Sequence, residues 1–217
     1  MSSVGKDDNA WDLTKGTVVA ARKGATAARA KIVVVDPSST SVPFTPSASG
    51  VTMSAVVPAA WNDACEDDPN NCSIGMRVDY CASSILFTGD AELGEEAVLT
   101  VAQADLLQLG HHGSDTSSGA PFLTAVAPTY AVISAGHKRV GMNKTYCHPR
   151  ASTVLDVSAE LGGAGSKTIE AFDAVVACKK TSDSHWFDVP ASDNLWATAR
   201  DGYVYLAKPG DGVFIEE

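Results

Sequence analysis

The chain has no run of about 18 apolar residues, so it contains no candidate membrane-spanning helix. Its first residues, Met1 to Asn9, are polar and carry no apolar stretch, so no secretory signal is visible there. No Cys-x-x-Cys pair occurs, which argues against a structural zinc knuckle. There is no internal repeat, and no biased tract beyond a Ser/Thr/Pro-rich stretch from Pro37 to Pro58. Basic residues are outnumbered: 16 Lys and Arg against 26 Asp and Glu give a formal charge of −10. That balance argues against general, sequence-independent binding to a polyanion. One window reverses it. From Thr116 to Leu155 there is no Asp or Glu, while Lys138, Arg139, Lys144 and Arg150 lie there with His137 and His148. This window reads either as a solvated basic loop or as a phosphate-attracting rim.

What is present is a 217-residue chain long enough for one sizeable core. Five cysteines stand in it. Cys65 and Cys72 bracket an acidic, turn-rich loop, and a disulfide there would contribute about 2–3 kcal/mol on the chain-entropy model. Cys147 and Cys178 form a second candidate pair, leaving Cys81 as an expected buried thiol. The pattern leans to an oxidising, extracytoplasmic or secreted setting.

Residues 1–15 read as a disordered leader, and 16–217 as one domain. Thr17–Ala21, Lys31–Val35 and Val51–Val57 read as strands. Ile74–Tyr80 and Ser84–Thr88 read as an antiparallel pair around a Cys-Ala-Ser turn. Ala91–Gln103 carries Leu93, Ala97, Val98 and Val101 at helical spacing, with Asp90 placed to cap it. Asp105–Leu109 and Tyr130–Ala135 are short apolar runs of the kind buried on both faces of a sheet. A helix capped by Ser117 or Ser118 separates them. Ala151–Leu161 is a helix ended by Gly162-Gly163. Lys167–Cys178, Asn194–Ala199, Gly202–Ala207 and Val213–Glu217 read as further strands. The order implies a layered α/β fold with mixed sheets flanked by helices.

The chemistry gathers where strands run into glycine. Leu86-Phe87-Thr88-Gly89-Asp90 ends one strand on a carboxylate, and His111-His112-Gly113-Ser114 ends the next on two imidazoles. Side by side in a parallel sheet, the two strand ends would offer a half-site for a divalent metal, with Asp90, His112 and His111 as ligand candidates. Because neighbouring side chains on a strand point to opposite faces, only one histidine of the pair is expected to ligate directly. Ser134-Ala135-Gly136, Asn143 and His148-Pro149 repeat the pattern. His148 is placed to protonate a leaving group or bind a phosphate oxygen. Asn143 and Ser114 join it as candidates to act on the substrate, whereas His137 and His185 are expected at the surface.

The series Asn71-x-Ser73, Leu86–Asp90, His111–Ser114, Ser117, Ser134-x-Gly136 and His148-Pro149 resembles the metallo-β-lactamase fold. In particular it resembles the hydrolase domain of ComEC-type competence (DNA-uptake) proteins, best over residues 70–162. The resemblance implies an αββα sandwich, of which this chain carries the C-terminal half. It implies a metal-dependent hydrolase, of phosphodiesterase or nuclease type, with two zinc ions, or manganese, activating a water. It makes Asp90 the bridging carboxylate and His112 the favoured ligand of the histidine pair. It sets Asn71 or Ser73 where many relatives place a histidine ligand, and His148 near the substrate. An anionic phosphodiester or nucleic acid would meet Lys138, Arg139, Lys144 and Arg150. The family's His-x-His-x-Asp-His signature is absent, and no histidine precedes His111. The expected reading is therefore the C-terminal part of a longer hydrolase. The alternative is a secreted binding module on a scaffold that has lost its metal centre.

Overall fold

The computed structural model describes residues 43–44, 50–60, 68–173, 178, 183–207 and 215–216. The expected leader, the strands Thr17–Ala21 and Lys31–Val35, and Cys65 lie outside them. Among the described residues a seven-stranded mixed sheet dominates, in the order β1-β2-β3-β4-β5-β6-β9. Its strands are β1 (Pro43–Phe44), β2 (Val51–Val56), β3 (Gly75–Tyr80), β4 (Ser83–Phe87), β5 (Leu106–Gln108), β6 (Tyr130–Ile133) and β9 (Leu195–Ala197). Pairing is antiparallel from β1 to β4 and parallel from β4 through β5 and β6 to β9. The expected hairpin of β3 and β4 is present, with Met76 opposite Phe87. Cys81 is not the buried thiol expected of it: it sits at the hairpin turn with φ 52° and is free and exposed.

Parallel strands demand crossovers, and here they run through short helices. Helix α1 covers Leu93–Glu96, α2 Ala120–Val126 and α3 Ala151–Glu160. Leu107, Leu109 and Ile133 of the sheet side pack with Phe122 and Val126 of α2 and Val154 and Val157 of α3 in one core. An antiparallel ribbon, β7 (Lys167–Phe172) with β8 (Trp186–Ala191), adds Ile169, Ala171, Val189 and Ala191 to it. Gly162 (φ 104°) and Gly163 (φ 89°) end α3 as the sequence predicts. Helix α4 (Thr198–Asp201) and a pair of two-residue strands, β10 (Leu206–Ala207) and β11 (Ile215–Glu216), complete the described chain.

Two helix expectations are corrected. The first helix is four residues, not thirteen: Leu93, Ala97 and Val98 are exposed, while Val101, beyond the helix, packs against the core. Glu95 and Glu96 are the residues buried there, at 1% and 7% exposure. Each carboxylate takes backbone donors that would otherwise be orphaned in the interior. Glu95 accepts the Ser73 N–H (2.9 Å), and Glu96 accepts those of Ser118 (2.6 Å) and Gly119 (2.9 Å). Hence α2 is headed by the Glu96 carboxylate rather than by a serine side chain, with Gly119 in the capping position. Burial pushes both carboxyls up to about 7, opposed by these hydrogen bonds and helped by a neighbouring carboxylate, Glu96 for Glu95 and Glu92 for Glu96.

Candidate active site

The four parallel strands all end on the same edge of the sheet, where α/β sheets place their ligands. Each end delivers part of one pocket of about 740 Å³: Asp90 after β4, His111 and His112 after β5, Ser134–Gly136 after β6, and Thr198 after β9. Thr198 ties two of these ends together. Its hydroxyl accepts the Ala135 N–H (3.0 Å) and donates to the Ala135 carbonyl (2.7 Å).

The histidine pair does not lie on a strand. β5 ends at Gln108, and His111 (φ 45°), His112 (φ 56°) and Gly113 (φ 78°) form a left-handed turn. The alternation argument therefore fails, and both imidazoles line the pocket. Left-handed non-glycine residues cost on the order of 1–3 kcal/mol each and cluster at functional sites. Gly113 has no alternative: a Cβ there would sit 3.0 Å from Pro149 Cβ. Each ring is held from behind by Nδ1, His112 on the Ser134 carbonyl (2.7 Å) and His111 on the Glu92 carboxylate (2.8 Å). With Nδ1 occupied, Nε2 is the atom each ring has left to offer. His112 Nε2 lies 3.6 Å from Asp90 Oδ1. Asp90 is not a helix cap, since α1 starts later, behind Glu92.

The opposite wall is the loop from Gly136 to His148, and it is pinned. The Asn143 side chain accepts the His148 N–H (2.6 Å) and donates to the carbonyls of His148 (2.6 Å) and Gly136 (2.7 Å). Beside it a disulfide joins Cys147 to Cys178, as the sequence predicts. Cys72 is also disulfide-bonded. His148 stands between these anchors at 7% exposure, its ring centroid 5.3 Å from that of His111 and 6.5 Å from that of His112. Burial, then the neighbouring His111, lowers its pKa to about 4, so it is neutral at pH 7. The shift favours the neutral imidazole over the imidazolium at neutral pH, and its buried Nδ1 has no hydrogen-bond partner among the described residues.

Other predicted residues lie elsewhere. Ser114 is buried, bonded to Thr116 (3.0 Å), and does not line the pocket. Asn71 and Ser73 serve α1 instead: Asn71 Oδ1 accepts the Glu95 N–H (2.8 Å), and it is Asn70 that reaches the pocket. His137 is exposed, while His185 is half-buried, its ring 6.1 Å from that of Phe172. The expected basic rim is largely answered by acids from other elements. Lys138 pairs with Glu170, and Arg150 Nε lies 3.5 Å from Asp115 with its guanidinium 5.1 Å over Phe172. Arg139 and Lys144 are exposed. Sequence reasoning missed Glu92, Asn70 and Thr198. Only Glu92 left a signal, an acid two residues beyond Asp90.

Asp90 and His112 can offer two donors to one ion. Among the described residues, however, no three His, Cys, Asp or Glu side chains group so as to hold a metal. A catalytic zinc takes about three protein ligands. The described residues therefore do not fit a complete metal centre.

Comparison with known proteins bears on the same segment. Residues 66–137 match the Metallo-beta-lactamase superfamily. The metallo-beta-lactamase match takes in Asp90, His111 and His112 and stops short of Asn143 and His148. Curated relatives agree. Recombination protein 2 of Haemophilus influenzae is 43% identical over 72 residues, 32% of this chain and 9% of that protein. Competence protein ComA of Neisseria gonorrhoeae is 41% identical over 87 residues, 38% of this chain and 12% of the relative. ComE operon protein 3 of Bacillus subtilis is 39% identical over 84 residues, 37% and 10% respectively. The chain thus spans about a tenth of the length of the curated relatives it matches. The mixed α/β architecture, with its mixed sheet and flanking helices, is consistent with the metallo-beta-lactamase fold.

Proposed function

We propose that residues 16–217 form part of a metallo-β-lactamase-type hydrolase domain with a role in DNA uptake, and that the pocket acts on a phosphodiester. The observation that carries this reading is the 3.6 Å approach of Asp90 Oδ1 to His112 Nε2 at the ends of adjacent parallel strands, with both histidines anchored through Nδ1. Asp90 and His112 would be two of the ligands of a zinc or manganese ion, which would supply the acidity that activates a water. His111 supports that site, while His148, neutral and buried, donates or accepts a hydrogen bond at the substrate. Asn143 positions His148. Lys144 and Arg139 provide exposed positive charge near the loop. The similarity to competence proteins supports the link to DNA, and the disulfide supports an extracytoplasmic setting.

A second reading is a binding module without catalysis. It is favoured by the lack of a three-ligand group among the described residues. One experiment separates the two. The chain, expressed together with any sequence that precedes it in the natural protein, is analysed for bound zinc and manganese, then assayed with either metal for hydrolysis of bis(p-nitrophenyl) phosphate. The hydrolase reading expects stoichiometric metal and turnover, both lost in Asp90→Ala and His112→Ala. Turnover that survives both substitutions refutes it. Absence of metal and of turnover favours the binding module.

A further inference from the structure

The pocket has an apolar lip that the chemistry of its floor does not use. Val140, Met142 and Tyr146 line one wall and are 60%, 68% and 50% exposed. Large apolar side chains gathered at the mouth of a pocket mark a ligand surface more often than chance exposure. The loop that carries them is preorganised rather than loose, because the Asn143 bonds and the Cys147–Cys178 disulfide fix its end. The Tyr146 ring is nearly parallel to His148, at 14° with centroids 6.2 Å apart. A flat group laid on Tyr146 would therefore also align with the imidazole at the floor. Charge gives little competing attraction. Among the described residues that line the pocket Asp90 is the one carboxylate and there is no Lys or Arg, and Lys138 and Arg150 each face a carboxylate of their own.

We propose that Val140, Met142 and Tyr146 form a specificity lip that receives a planar ring carried by the substrate next to its phosphate ester. The proposal rests on the hydrolase reading of the same pocket and names the feature of the substrate that the lip selects. The ring is an aryl group or a nucleobase, which share a π-face and an apolar edge. Stacking of such a ring on an aromatic side chain strengthens binding about tenfold or more.

The test measures ligand affinity, not turnover, by saturation-transfer NMR on the 217-residue chain with zinc present. The probes are methyl phosphate, phenyl phosphate and thymidine monophosphate. At least one ring-bearing probe is expected to bind about tenfold more tightly than methyl phosphate. Which of the two binds better identifies the ring. The double variant Met142→Ala/Tyr146→Ala should abolish the preference and leave methyl phosphate affinity unchanged, while Tyr146→Phe should retain it. Equal binding of all three probes, or a preference that survives the double variant, overturns the lip alone. If none of the probes binds, the lip and the phosphodiester reading of the pocket fall together.

Discussion

Glu95 and Glu96 give the sharpest quantitative expectation, because adjacent buried carboxyls face different hydrogen-bonding problems. Glu95 lends one oxygen to the Ser73 N–H, while its Oε1 is buried with no partner among the described residues. Both oxygens of Glu96 are used, by Ser118 and Gly119. A carboxyl raised from 4.5 to about 7 binds its proton more tightly in the folded state than in the unfolded chain. The stability it contributes is complete below about 4.5 and is lost as pH rises through about 7. The difference corresponds to about 3 kcal/mol for Glu95, an upper value because part of it is repulsion from the Glu96 carboxylate. Glu95→Gln replaces the acid by an amide that keeps the acceptor for Ser73 and, like the protonated acid, carries no charge, at the cost of one more unpaired donor. The variant should therefore come close to the wild type at pH 5 and exceed it by about 1–3 kcal/mol at pH 8. Glu96→Gln should gain about 1–2 kcal/mol less than Glu95→Gln at pH 8, since an amide cannot accept both N–H groups. Urea unfolding followed by circular dichroism from pH 5 to 9 measures both differences. A Glu95→Gln curve parallel to the wild type across that range would refute the assignment of a buried charge cost to this residue.

Other expectations are as direct. His148, held at about 4, should show no imidazole titration by NMR between pH 8 and 5.5. The stability it contributes is present above pH 6.5 and lost as pH falls toward 4, opposite in sign to the glutamates. Asn143→Ala strips partners from the buried N–H and carbonyl of His148, and should cost about 2 kcal/mol and speed exchange of the His148 amide at least tenfold. Gly113→Ala forces a Cβ to within 3.0 Å of Pro149 at φ 78°, and should lower stability by about 1–3 kcal/mol in thermal unfolding.

Where local pattern carries the cause, the sequence was readable. The apolar runs ending in Gly89-Asp90 and Gly110-His111 gave adjacent parallel strands, and their ends meet at one pocket. The failures share an origin in distant partners. The spacing of Leu93, Ala97, Val98 and Val101 points to a helix over Ala91–Gln103. The backbone donors of Ser73, Ser118 and Gly119 turned the glutamates inward instead. The acid-free window hid the acids that answer its cations, because Asp115 and Glu170 lie on either side of it in sequence. The histidine pair was assigned to a strand because nothing local marks two left-handed residues before a glycine.

Cys147 immediately precedes His148, so a cross-link to Cys178 is built into one wall of the cleft. A sample made in a reducing cytosol, or stored with excess thiol, would lack that tether. Preparations that differ in this one bond would then differ in the shape of the cleft, and thiol titration should accompany every ligand measurement.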